Sequence, residues 1–263
     1  MEETNLETTN VKAPVISLKG VCKNFGGLRA VSNVDMDIAQ GERRLILGTN
    51  GAGKTTVFNM ITGELPLSSG TITVLGKVVN NLPTYKRVKL GMRRTYQTSA
   101  LFNDISVREN LYLALLGCES TAAHLNVFTR ARKNKVYSEK IERAAQDFGL
   151  ADKLNVLAAD LSHGERRQLE LGTAIITEPK ILLFDEPGAG LSANERKMIV
   201  SYIQKLSRDI TIVMIEHDME LAFAVADYIT VMCDGEIVTE GDPETIQNDP
   251  VVRKIYLGGA DEQ

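Results

Sequence analysis

Val34, Met36 and Ile38 alternate with Asp35 and Asp37, so Val31 to Ile38 predicts a strand with one apolar face. Val15 to Cys22 alternates less cleanly. Arg44 to Leu47 reads as a strand ending at Gly48, and Val57, Met60 and Ile61 then recur at helical spacing from Lys54 to a stop at Gly63. Thr71 to Leu75 is β-branched and follows a Ser-Ser-Gly turn. The opening third therefore predicts short, antiparallel strands around one strand–loop–helix unit.

From Asn103 to Ala159 no strand pattern or proline occurs. Glu109 to Leu116 and Lys140 to Phe148 predict helices, the second with Ile141, Ala144, Ala145 and Phe148 on one face. Between them lies an irregular segment, Ser120 to Tyr137, with a basic cluster at Arg130, Arg132, Lys133 and Lys135. The ordinary reading of that cluster is a solvated face. After it, apolar runs at Lys180–Phe184, Ile210–Ile215 and Tyr228–Met232 alternate with predicted helices at Arg166–Ile176, Ser192–Leu206 and Met219–Ala226. Continuous apolar strands separated by helices predict a parallel sheet covered on both faces.

Composition narrows the classes. Hydrophobic residues are 43% and charged residues 24% of 263, enough for a sizeable core. A net charge of −4 and the absence of Trp disfavour a nucleic-acid binder, so no nucleic-acid partner is expected. Cys22, Cys118 and Cys233 are scattered, which excludes a disulfide scaffold or thiolate zinc site and suits a reducing compartment. No apolar run reaches the length of a membrane span, and the acidic start lacks secretory-signal features. Residues 1–13 and 258–263 are expected to be flexible tails.

Gly48-Thr49-Asn50-Gly51-Ala52-Gly53-Lys54-Thr55 matches the P-loop pattern. Its glycines let backbone N–H groups converge on a phosphate at a helix start. Candidate nucleotide contacts are Gly48, Asn50, Gly51, Ala52, Gly53, Lys54, Thr55 and Thr56, with Thr55 also a Mg²⁺ ligand. Ile181 to Phe184 is an apolar strand leading into Asp185 and Glu186. Asp185 suits the second Mg²⁺ ligand, and Glu186 suits the base that takes a proton from an attacking water. Acidic strand ends are also common without function.

Leu161-Ser162-His163-Gly164-Glu165 follows the same logic. Ser162 and Glu165 form a capping box, and a helix start also presents donors to an anion. Here the sequence resembles the ATP-binding cassette (ABC) ATPases, whose signature is Leu-Ser-Gly-Gly-Gln. The resemblance covers about Val15 to Leu257. It implies an α/β P-loop NTPase cassette at 14–257: a RecA-like parallel sheet core, an N-terminal antiparallel β subdomain and an inserted helical subdomain at about 103–177. It assigns Phe25 to adenine stacking, Gln97 to sensing Mg²⁺ and water, His217 to the γ-phosphate, and Ser162, Gly164 and Glu165 to a partner chain's ATP. His163 departs from the common signature. The segment after Glu186 also departs from the family pattern, with Ser192 where the family usually has an aspartate that helps couple the two sites.

The resemblance implies ATP and Mg²⁺ as cofactors and a second cassette, identical or different, to complete each site. It implies two integral membrane permease subunits and a solute-binding protein as further partners, and a peripheral position on the inner membrane face. Residues 98–102 fall where the family receives a helix of the membrane partner. Ile215 to Met219, the ending from Glu240 to Gly258 and the long insert resemble the branched-chain amino-acid uptake branch. The function expected is energising import of such amino acids or a related small solute. A lipopolysaccharide-export ATPase and a soluble non-transport ABC ATPase are the alternatives.

Overall fold

The computed structural model describes residues 13–96, 100–117, 135–217 and 219–257. The N-terminal sheet is a four-stranded antiparallel layer in the order β2-β1-β4-β5. Its strands are β1 (Ile16–Phe25), β2 (Leu28–Ile38), β4 (Ser69–Val74) and β5 (Lys77–Val78). Ile16 faces Ile38 and Val74, and Leu18 faces Met36 and Ile72. A register shift between Leu18 and Val21 explains the uneven alternation of β1. Gly20 sits there at φ +56, with its N–H on Asp35 Oδ1 at 2.9 Å.

The second sheet has six strands in the order β10-β9-β3-β8-β7-β6. They are β3 (Arg43–Gly48), β6 (Met92–Thr95), β7 (Ile181–Asp185), β8 (Thr211–Ile215), β9 (Tyr228–Cys233) and β10 (Glu236–Gly241). All pairings are parallel except β9 with β10. Period-two alternation within the apolar runs divides them between two cores. Ile46, Leu183, Val213 and Ile215 point toward the antiparallel sheet and meet Val57, Phe58 and Ile61 of α1 (Lys54–Thr62). Leu45, Leu182, Phe184, Ile212 and Met214 point the other way. There they meet Leu171 of α5 (His163–Ile175), Ile199 and Ile203 of α6 (Ala193–Lys205), and Leu221 of α7 (Met219–Val225).

A third core joins Val107, Leu111 and Leu115 of α3 (Val107–Leu116) to Ile141 and Ala145 of α4 (Lys135–Asp147) and Leu169 of α5. Among the described residues three helices start on capping boxes: Ser106 with Glu109, Ser162 with Glu165, and Ser192 with Glu195. Because Ser162 is itself the cap, α5 begins at His163 rather than at Arg166. Likewise α3 begins at Val107 and not at Glu109.

Several elements escaped the sequence pattern. β5, β6, β10, α2 (Thr84–Lys89), α8 (Pro243–Asn248) and α9 (Pro250–Leu257) are short or polar. β6 reads Met-Arg-Arg-Thr and stands at the sheet edge, where polar residues are tolerated. Residues 1–12 and 258–263, Cys118 and most of the basic cluster lie outside the described residues. Lys135 opens α4 with an exposed side chain.

α2 carries Arg87, only 2% exposed. It donates to Met60 O and Ile61 O at 2.7 Å, Leu82 O at 2.8 Å and Val79 O at 2.5 Å. The first two belong to the last turn of α1; Met60 O also accepts from Gly63 N at 3.3 Å and Val79 O from Leu82 N at 2.8 Å, so the guanidinium matters most to Ile61 O and Leu82 O. Arg87→Met is expected to strand Ile61 O and Leu82 O and cost about 3 kcal/mol. A urea melt checks this: the midpoint should fall with the m-value unchanged.

Candidate functional site

Parallel pairing brings like strand ends together. Ile46 of β3 and Asp185 of β7 both register with Ile215 of β8. Gly48, Asp185, Glu186 and His217 therefore gather at the C-terminal edge of one sheet, where open α/β sheets carry their ligand sites. β6, through Thr95 paired with Phe184, delivers the chain to the same edge.

The loop from Gly48 to Lys54 is shaped by close approaches. A Cβ on Gly48 would lie 2.4 Å from Met232 O, and one on Gly53 would lie 2.6 Å from Ala30 O. Gly51 and Gly53 adopt φ of +84 and +95. The turn at Asp234-Gly235 braces this loop, because Gly235 N donates to Ala52 O and Gly235 O accepts from Ser32 N. Both hairpins thus touch the loop. Phe25, at the tip of the β1–β2 hairpin, stays 48% exposed, with Lys23 Nζ 5.0 Å from its ring centre.

Lys54 is buried at the first position of α1. Its Nζ donates to Gly48 O at 2.7 Å and Thr49 O at 2.9 Å. Burial lowers its pKa, while the charges of Glu186 and Asp185 pull it back up. The sequence-distant lysine and acidic pair stand at the same sheet edge, because β3 and β7 both end beside β8. Glu186 Oε1 lies 2.9 Å from His217 Nε2. Buried Glu216 accepts from Gly188 N at 2.7 Å and His217 N at 2.9 Å, tying the segment after β7 to the segment after β8.

Two arginines that sequence reasoning passed over organise the acidic pair. Arg94 of β6 donates to Asp185 Oδ2 at 2.5 Å, to Asn59 Oδ1 at 2.6 Å and to Glu64 Oε2 at 3.2 Å. Arg167 of α5 donates to the backbone carbonyls around Asp185 and Glu186. The only signal in the sequence was an arginine pair in a short strand and another in the signature segment. Gln97 lies outside the described residues. Its neighbour Tyr96 donates its hydroxyl to Glu64 at 2.9 Å, and burial with that carboxylate raises the phenol pKa.

The signature residues stand at the start of α5. Glu165 N donates to Ser162 Oγ at 3.3 Å, and Ser162 N donates to Glu165 Oε2 at 2.8 Å. A Cβ on Gly164 would come 2.3 Å from Glu195 Oε1 of α6, so the two capped helix starts abut. Both departures from the family pattern, His163 and Ser192, sit in this contact. His163 Nε2 lies beside Gly190, and Ser192 Oγ donates to Glu195 Oε2 at 2.6 Å. Beyond β6, Arg94, Tyr96, Leu101, Phe102 and Glu170 line a groove of about 270 Å³. Leu101 is half-buried against the third core and Phe102 is exposed.

The donor set suits a nucleoside triphosphate with Mg²⁺. Among the described residues no cluster of three or more His, Cys, Asp or Glu could hold a metal alone. Asp185 and Thr55 offer one carboxylate and one hydroxyl, hard oxygen donors of the kind a magnesium ion takes.

Fold and site together define a P-loop nucleotide-hydrolysing architecture. The family model for ABC transporters matches residues 31–189, and that for the "Branched-chain amino acid ATP-binding cassette transporter" matches 236–262. The chain is 37% identical to the high-affinity branched-chain amino acid transport ATP-binding protein LivG of Salmonella typhimurium, covering 94% of this chain and 99% of that one. It is 35% identical to BraF of Pseudomonas aeruginosa over the same shares. The ADP conformation of MJ1267, an ATP-binding cassette of an ABC transporter, superposes at TM-score 0.80 and 29% identity, covering 93% of this chain and 99% of that one. The chain belongs to the ABC transporter family, as an ATP-hydrolysing subunit. No described helix is long and apolar enough to cross a membrane.

The Ser162 cap yields a stability test. Backbone and side-chain hydrogen bonds from Ser162 hold the Glu165 carboxyl below its usual 4.5, against the opposing effect of burial. Its stabilisation is present above the unfolded value and lost as pH falls through the lowered folded value. Ser162→Ala should cost about 1 kcal/mol at pH 7. Urea unfolding should show the gap from the parent protein shrinking under acid conditions.

Proposed function

We propose that this chain is the peripheral ATPase of an importer for branched-chain amino acids or a related small solute, working at the inner face of the membrane. The observation carrying the ATPase chemistry is the convergence of buried Lys54 with Asp185 and Glu186 at the edge where β3, β8 and β7 end together. The likeness to LivG and BraF supports the solute class.

In this reading residues 14–257 form one cassette with a helical insert at about 103–177. The 48–56 loop cradles the phosphates of ATP on backbone N–H groups, and Lys54 binds the β- and γ-phosphates. Phe25 stacks on adenine. Asp185, Thr55 and Gln97 hold Mg²⁺, which when bound neutralises phosphate charge. Glu186 takes the proton of the attacking water, and His217 orients that carboxylate and contacts the γ-phosphate.

Ser162, Gly164 and Glu165 serve the ATP of a second cassette, so two chains close on two nucleotides. Closure then follows from tighter ATP binding to the closed pair. The groove beside β6 receives a helix from one of two membrane permeases, and a solute-binding protein supplies the solute.

Glu186→Gln should keep ATP affinity, lose about 100-fold or more in turnover and accumulate as a dimer in light scattering. Unchanged turnover removes Glu186 as the base. Lys54→Ala should weaken ATP binding about tenfold or more by calorimetry. In cells relying on the transporter it should abolish uptake of labelled leucine. Normal leucine uptake would contradict the solute reading and leave the ATPase reading standing.

A further inference from the structure

Glu186 stands at φ +50, in the left-handed region that a bulky side chain rarely adopts. Such a conformation persists only where surrounding contacts over-determine it. Its N–H donates to Ile215 O at 2.9 Å, and its carboxylate meets His217. Its carbonyl accepts from Ala189 N at 3.1 Å and from Arg167 Nη2 at 2.9 Å.

Arg167 is buried inside α5. Its Nε donates to Pro187 O at 3.0 Å. Nη1 donates to Tyr96 O at 3.0 Å and to Glu170 Oε2 at 2.6 Å. Nη2 donates to Glu186 O at 2.9 Å and Asp185 O at 3.4 Å. Its five N–H groups thus meet five acceptors, the full capacity of a guanidinium. Four of these are backbone carbonyls of the acidic turn and of the residue preceding Gln97. The fifth, Glu170, lies one turn along the same helix and lines the groove.

We propose that Arg167, clamped by Glu170, is the positioning residue that holds Glu186 in its strained conformation and so aims its carboxylate. It acts through the peptide groups on either side of the base, and through Glu170 it makes the groove floor mechanically continuous with them. Lysine cannot replace it, because an ammonium lacks the planar fork that reaches carbonyls of three consecutive residues. The inference rests on Glu186 being the base.

The test uses the full chain and Mg-ATP, with steady-state hydrolysis, calorimetric ATP affinity and thermal unfolding measured together. Arg167→Lys should lower kcat about tenfold or more while KM and the ATP dissociation constant stay within about threefold. Glu170→Gln, which keeps an acceptor but loses its charge, should lower kcat less. The double variant should be no slower than Arg167→Lys alone, since both act through one contact. Unchanged kcat in both single variants overturns the proposal. So does a loss of affinity that matches the loss of kcat, which marks a general prop of the fold. If Arg167→Lys does not fold, Glu170→Gln decides by the same split. Glu186→Gln run alongside separates the two failures: if it hydrolyses normally the base assignment falls, and if it alone is dead the positioning role falls.

Discussion

The hydrogen-bond ladder that runs β3, β8 and β7 in parallel decides where chemistry can occur in this protein. Parallel neighbours must end together, so Gly48, Asp185 and the residues after Ile215 emerge at one edge whatever their separation in sequence. The ladder cannot slip, because each central strand is apolar on both faces and serves two different cores. Moving β7 by one residue would exchange Leu183 and Phe184 between them. The register of buried aliphatic side chains thereby becomes the register of the site.

That arrangement concentrates carboxylates and backbone carbonyls in one partly buried place. Three cations answer them: Lys54 on the loop carbonyls, Arg94 on Asp185 and Arg167 on the peptide groups about Glu186. For a buried pair such as Arg94 and Asp185, desolvation cancels much of the Coulombic gain, so its value lies in fixing position rather than adding stability. Arg87 is the structural counterpart, a buried guanidinium that closes the end of α1 with no part in the site. The antiparallel sheet, through Ala30 of β2, and the β9–β10 turn, through Gly235, brace the loop together, so that only glycine fits at position 53.

Much of this was legible beforehand. The 48–55 loop, the strand before Asp185, the stop of α1 at Gly63 and the caps at Ser162 and Ser192 all rest on short-range rules. Glycines, apolar runs and Ser-x-x-Glu spacings carry those rules within a few residues. The missed features share the opposite property. β6 is a strand because β7 offers it an edge, and no alternation announces it. The bulge at Gly20 blurred the period of β1 by design of the pairing. Arg94 and Arg167 look like surface arginines until their partners, from Asn59 to Pro187, are brought near.

The sequence by itself determined the vocabulary of the protein: which segments turn, cap or extend, which glycine-rich loop opens a helix, and which side chains could do chemistry. Only the tertiary structure decided which carboxylate meets which cation, and that Glu186 is held at a positive φ facing His217. The physical reason is range. Backbone preference and capping act between near neighbours, whereas a guanidinium selects its acceptors by angstrom-scale fit among groups that are brought together only once the sheet has closed.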